Sequence, residues 1–122
     1  MESIPKISES EWLVMKKIWG ENPITANNII EVLSDTTTWS PKTIKTLLNR
    51  LMKKGAVGYE SRGREYHYFP LIEEAVCVKE ESRSFLKRVF GGAIKPMLAT
   101  LVESKDLSAE DIEELKRILE NK

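Results

Sequence analysis

Apolar residues recur at helical spacing through the first fifty positions, alternate singly for a short stretch, and then return to helical spacing. The first helical pattern announces its own start. In Ile7-Ser8-Glu9-Ser10-Glu11-Trp12, Ser8 is placed to cap, Glu11 to reach back to the cap amide, and Ile7 to pack on Trp12. Trp12, Met15 and Trp19 continue the inward face, and Gly20 marks the stop. A second start follows at Ile24-Thr25, with Ala26, Ile29, Ile30 and Leu33 facing inward and an end near Ser34-Asp35. The third is the clearest: Ser40 caps, Pro41 occupies the first helical position where no amide donor is missed, and Trp39 can staple onto Ile44. Gly55 then supplies the left-handed turn that ends this helix.

After Gly55 the period drops to two. Val57 and Tyr59, then Tyr66 and Tyr68, alternate with polar residues around a Ser61-Arg62-Gly63-Arg64 turn, which predicts a hairpin ending at Pro70. A short strand near Pro23-Ile24 would complete a small sheet. Three helices followed by a hairpin with basic residues at its tip is the order of a winged helix-turn-helix. The predicted class is mainly α with a small β-hairpin, with a winged-helix DNA-binding domain over residues 1–72.

From residue 73 the pattern is helical again, with a break at Gly91-Gly92 and a last helix opened by Leu107-Ser108, Asp111 and Ile112. About fifty residues are too few to enclose a core alone. Yet Phe85, Leu86, Val89, Phe90, Leu98, Leu101, Val102, Ile112, Leu115 and Leu119 offer a large apolar surface. Covering it with a second copy is favoured over folding it back on the first domain, so 73–122 reads as a helical dimerisation region.

Charge changes the picture where it is located. Nineteen bases balance nineteen acids, but residues 40–64 hold seven bases against one acid, a net of +6. Such a block points to a polyanion, against the plainer reading of a solvated face. On a helix beginning at Pro41, Ile44, Leu47, Leu48 and Leu51 share one face, and Lys42, Thr46, Asn49 and Lys53 share the other, flanked by Thr43, Lys45 and Arg50. No acid lies among them, although a merely solvated helix would place Glu before Lys. The exposed set combines phosphate-binding with base-reading side chains. Ser40, Lys42 and Thr43 would sit at the helix N-terminus, whose free amides attract phosphate. Arg62 and Arg64 would meet the DNA backbone or the minor groove from the hairpin tip, or remain ordinary hairpin charge.

Other chemistry finds little support. Tyr59, Tyr66 and Tyr68 alternate as a half-buried hairpin face would, rather than as a base-stacking platform. One His (His67) and one Cys (Cys77) do not make a zinc site, and no cofactor or catalytic set is expected. Cys77 reads as a buried small residue; a single cysteine allows no internal disulfide and suits a reducing cytoplasm. The start, MESIPKISES, lacks the features of a secretory leader, and no apolar run is long enough to span a bilayer.

The elements Ser10-Glu11-Trp12 through Met15 and Ile18-Trp19, Asn27-Asn28-Ile29-Ile30, Trp39-Ser40-Pro41-Lys42-Thr43-Ile44, Arg50-Leu51 with Lys53-Lys54-Gly55, Gly91-Gly92, and Leu107-Ser108 with Ile112-Glu113-Glu114-Leu115 are similar to one known pattern. Over essentially its whole length the chain resembles the penicillinase and methicillin-resistance repressor family (BlaI/MecI), most specifically at Trp-Ser-Pro-Lys-Thr. The resemblance implies a homodimeric repressor on palindromic operators, reading DNA with the helix that holds Lys42, Thr43, Lys45 and Thr46. It also implies derepression through a membrane-bound sensor protease that detects a β-lactam and leads to a cut in the dimerisation region. Where familiar members have an Asn-Phe bond, this chain has Thr100-Leu101, with Pro96 nearby. The paired C-x-C motifs of a copper-sensing branch are not in this sequence.

The resulting expectation is a dimeric, cytoplasmic, non-enzymatic repressor of double-stranded operator DNA that controls β-lactamase or related resistance genes. Two alternatives stay open. One is a ligand-responsive regulator without proteolysis, and the other an adaptor whose basic face meets an acidic protein.

Overall fold

The computed structural model describes residues 4–121, so the first three residues of the stretch read against a secretory leader lie outside it. The chain divides into two compact units, residues 1–78 and 79–122.

The first unit begins with helix α1, Glu9–Gly20. Its capping box is formed: Glu11 N–H donates to Ser8 Oγ at 3.2 Å, and Ser8 N–H donates to Glu11 Oε1 at 2.8 Å. The helix ends at Gly20 as expected, but through an extended Glu21 (φ −147°) rather than a left-handed residue. Strand β1, Ile24–Thr25, runs directly into α2, Ala26–Leu33, because Thr25 accepts from Asn28 N–H and serves as its cap. Ile29 and Leu33 are buried, while Ala26 and Ile30 are half-buried at the edge of the core. Helix α3, Pro41–Lys53, opens with Ser40 accepting from Thr43 N–H at 3.2 Å. It closes at Lys54 and a left-handed Gly55 (φ +80°), after which Ala56 N–H donates to the Leu51 carbonyl.

Strands β2, Val57–Arg62, and β3, Glu65–Pro70, form the hairpin, and β1 joins β3 to give a three-stranded antiparallel sheet in the order β1-β3-β2. Arg62 pairs with Glu65, so the turn is the two-residue Gly63-Arg64, shorter than the four-residue turn read from sequence. Gly63 at φ +64° makes so tight a turn possible. Val57 and Tyr68 bring the sheet into a core built from Val14, Met15, Ile18, Ile29, Leu33, Ile44, Leu48 and Leu51. Helix, strand, two helices and hairpin in this arrangement are a winged helix-turn-helix. The unit reaches past residue 72 because Cys77 is packed in the same core and Trp19 Nε1 donates to the Ile72 carbonyl at 2.9 Å.

Helix α4, Glu74–Phe90, carries the chain into the second unit, which also holds α5, Ile94–Glu103, and α6, Ala109–Glu120. Gly91 and Gly92, both at positive φ, end α4, with Gly92 N–H donating to the Leu86 carbonyl. Pro96 falls in the first turn of α5, where a missing amide donor costs little. Ser108 and Asp111 complete a second capping box at α6.

Candidate nucleic-acid interface

Helix α3 has two faces of opposite character. Ile44, Leu47, Leu48 and Leu51 are buried, which pins the helix against the core and leaves Lys42, Lys45, Thr46, Asn49, Arg50 and Lys53 in solvent together. Ser40 and Thr43 are exposed at the N-terminal end. No acidic residue occupies the first turn, so the positive end of the helix dipole is uncompensated there. Among the described residues, none of Lys42, Lys45, Arg50 and Lys53 lies within salt-bridge distance of a carboxylate. Four unpaired cations therefore line about 20 Å of helix.

The hydroxyls on this face are partly engaged. Thr46 Oγ1 donates to the Lys42 carbonyl at 3.0 Å, and Thr43 Oγ1 lies 3.1 Å from Ser40 Oγ. With its proton used, Thr46 presents a methyl group and lone pairs, suited to a thymine methyl or an amino-group donor on a base rather than to phosphate. Asn49 keeps both its amide donors and its carbonyl free of side-chain partners among the described residues.

At the hairpin the two arginines differ. Arg62 is held by Glu60, with Nε at 2.9 Å and the guanidinium end at 2.8 Å from the same carboxylate oxygen. Arg64 stands in the turn with no such partner among the described residues. The tyrosine face departs from the half-buried reading. Tyr68 is buried, but Tyr59 and Tyr66 are 47% and 46% exposed and stack with centroids 4.2 Å apart. Tyr59 stands opposite the buried Tyr68 but on the edge strand β2, and Tyr66 lies two residues nearer the hairpin tip. Burial, together with Tyr66 and Tyr59 nearby, raises the Tyr68 pKa above its ordinary value, and burial likewise pushes the Cys77 thiol up. Cys77 is a free cysteine buried in the core.

One cation of the cluster is turned away from solvent-facing duty. Lys54 Nζ contacts Glu11 Oε1 and donates to the Lys6 carbonyl at 2.8 Å. Glu11 is 1% exposed. Burial works to raise its pKa, but Lys54 and the Ser8 amide and hydroxyl outweigh that and hold the carboxyl below its usual range. Sequence reasoning reads Glu11 only as a capping residue, because nothing local connects it to a lysine 43 positions later.

In the second unit, no described residue is fully buried. Phe85, Val89, Val102 and Leu119 are exposed, and Leu86, Phe90, Leu98, Leu101, Ile112 and Leu115 are half-buried. The Thr100-Leu101 bond lies inside α5, with Thr100 Oγ1 donating to the Pro96 carbonyl at 2.9 Å.

The family described as penicillinase repressor matches residues 7–121. The penicillinase repressor of Bacillus licheniformis is 46% identical over 120 residues, covering 98% of this chain and 94% of that protein. The methicillin resistance regulatory protein MecI of Staphylococcus aureus (strain N315) is 40% identical over 117 residues, covering 96% and 95%. A solution structure of Bacillus licheniformis BlaI in its monomeric form, in complex with the blaP half-operator, is 51% identical over 62% of this chain and 92% of that one, with a TM-score of 0.54.

Proposed function

The chain belongs to the penicillinase repressor family, and from that membership and the α3 face we propose that it represses transcription by occupying a promoter operator as a homodimer. The observation that carries this reading is the uninterrupted cationic face: four bases with no carboxylate partner among the described residues, Asn49 and the capped N-terminus of α3 share one exposed surface backed by four buried aliphatic residues. Phosphates would meet Lys42, Lys45, Arg50 and Lys53, as well as the α3 amides at Ser40. Asn49, Thr43 and Thr46 would face base edges, and Arg64 would extend the contact from the hairpin. The operator-bound relative supports placing this unit on duplex DNA.

Dimerisation rests on the second unit, whose apolar side chains exceed what it buries by itself. Two copies would then present two α3 helices to half-sites related by the dimer axis. The genes controlled are those of β-lactamase or related resistance functions. Release follows a cut at Thr100-Leu101 by a membrane-bound sensor protease. Because that bond is helical here, cleavage requires α5 to open locally before its backbone can enter a protease as an extended strand.

The test is an anisotropy titration at fixed salt, comparing the duplex upstream of this chain's own gene with a shuffled duplex of equal composition. A preference of about a thousandfold, with two chains per site, is the expected result. Lys42→Ala and Arg50→Ala should each weaken binding by about 1 kcal/mol. Equal, weak binding to both duplexes, repeated on β-lactamase promoters, would leave the adaptor reading in its place.

A further inference from the structure

Lys53 and Lys54 are neighbours in sequence and look interchangeable as phosphate ligands, yet their surroundings separate them. Lys53 stands in solvent with no carboxylate partner among the described residues. Lys54 reaches back to the start of α1, where its ammonium meets both Glu11 Oε1 and the Lys6 carbonyl. Glu11 Oε1 also accepts from Ser8 N–H, so one buried oxygen joins the α1 cap to the end of α3. If Lys54 swung out to a phosphate, it would strand that carboxylate at 1% exposure without its counter-charge.

The position of this ion pair gives it leverage. Lys54 is the residue that closes α3, with its N–H on the Arg50 carbonyl, and Gly55 turns the chain immediately toward β2. Fixing Lys54 therefore fixes both where the helix ends and where the hairpin begins. Helix α3 has 13 residues, about 20 Å, so a tilt of about 5° at the Lys54 end moves the Ser40 end by nearly 2 Å. Displacements of that size break hydrogen bonds to base edges.

We propose that Lys54 is a positioning residue for operator reading: it acts through Glu11 rather than on a phosphate, and it sets the pitch of α3, and with it the hairpin, against α1. This rests on α3 being the DNA-reading helix. It also divides the cationic run by role, with Lys42, Lys45, Arg50 and Lys53 facing DNA and Lys54 holding the helix that carries them.

The experiment measures operator affinity at several salt concentrations for the full-length chain and for Glu11→Gln, Lys54→Met, the double variant, and Lys53→Ala as the phosphate control. Circular dichroism confirms that each variant is folded at the temperature used. Glu11→Gln and Lys54→Met are each expected to lower affinity roughly five- to tenfold with the salt slope unchanged. The double variant should bind no more weakly than either single change, since both remove the same ion pair. Lys53→Ala should flatten the slope by about 0.9, the value of one neutralised phosphate. Lys54→Met flattening the slope as Lys53→Ala does, with Glu11→Gln at full affinity, overturns the proposal. Folded variants with full affinity overturn it as well.

Amide NMR spectra of the free protein separate these outcomes from a failure of the DNA reading. In Glu11→Gln, signals along α3 and at Gly55 should shift whether or not any duplex is bound. If the native chain prefers no duplex but those signals move, the DNA-reading assignment has failed while the Lys54 ion pair still holds the helix. Unmoved signals dispose of the positioning role.

Discussion

Up to Val78 the chain encloses a core in which Val14, Met15, Ile18, Ile29 and Ile44 have no accessible surface; from Lys79 on, no described residue is fully buried. The local signals are nonetheless alike. Ser8 with Glu11 and Ser108 with Asp111 form the same capping box, and glycines at positive φ close both α3 and α4. Good helix signals make helices in both units, but a core also needs enough chain to surround itself. The first unit has three helices and a sheet to place around Ile44 and Leu48. The second has helices whose apolar side chains, such as Val89 at 57% and Leu119 at 67% exposure, still await cover. This contrast supports the proposal that the second unit is the one that associates.

The contrast can be tested by removing similar amounts of apolar surface from each side. Leu48→Ala should cost about 3 kcal/mol in urea unfolding, because a closed core cannot fully collapse around the void. Leu119→Ala should act mainly by weakening association, so its loss of stability is seen at concentrations where chains are paired and disappears on dilution to where they are not. Equal, concentration-independent losses at the two sites would erase the distinction between the units. Val89→Asp should next convert a two-chain species into a one-chain species in sedimentation, and it should reduce affinity for a full operator on the order of a hundredfold while sparing a half-site. An unchanged sedimentation coefficient would move the interface away from α4.

A smaller effect concerns the Glu11–Lys54 pair in the first unit. Glu11→Gln should cost about 2 kcal/mol at neutral pH, less than a fully enclosed pair, because Lys54 remains 34% exposed. The sign with pH follows from the direction of the shift. The folded carboxyl titrates below its unfolded value, so its contribution is complete above the ordinary glutamate pKa and is lost as pH falls through the lower folded value. Stability curves of the native chain and Glu11→Gln should therefore converge in acid; curves that stay parallel would mean the carboxylate contributes nothing through its charge. The smallest change is Ser108→Ala, which should cost about 1 kcal/mol through the α6 cap and leave the first unit's unfolding untouched.

Much of the architecture is legible in the sequence alone. The three N-terminal caps, the switch to a two-residue period after Gly55, the hairpin ending at Pro70 and the buried Ile44–Leu51 face all follow from neighbours within a turn or two of chain. The cationic face of α3 is legible for the same reason, since its residues share one helix. Three features of the hairpin are not. The turn at Gly63 is tighter than its polar composition suggests, because Arg62 and Glu65 still pair across the strands. Tyr59 and Tyr66 alternate like core residues, but one is on the edge strand and the other nearer the tip, and packing on each other and on Tyr68 leaves both about half exposed. Arg62 carries the same charge as Arg64 but is held by Glu60 across the same face of its strand.

By itself, then, the sequence determined the helix starts and stops, the order of elements, and the sign of the charge on the exposed face of α3. These depend on backbone hydrogen bonds and periodicities that act over three or four residues. Tertiary structure alone decided which cation of the α3 run is engaged among the described residues. Lys53 and Lys54 are adjacent and chemically identical, and what separates them is a carboxylate 43 positions away that becomes buried only when α1 and α3 close on a common core. Once Glu11 has left water, the ammonium that compensates it is no longer available to a phosphate.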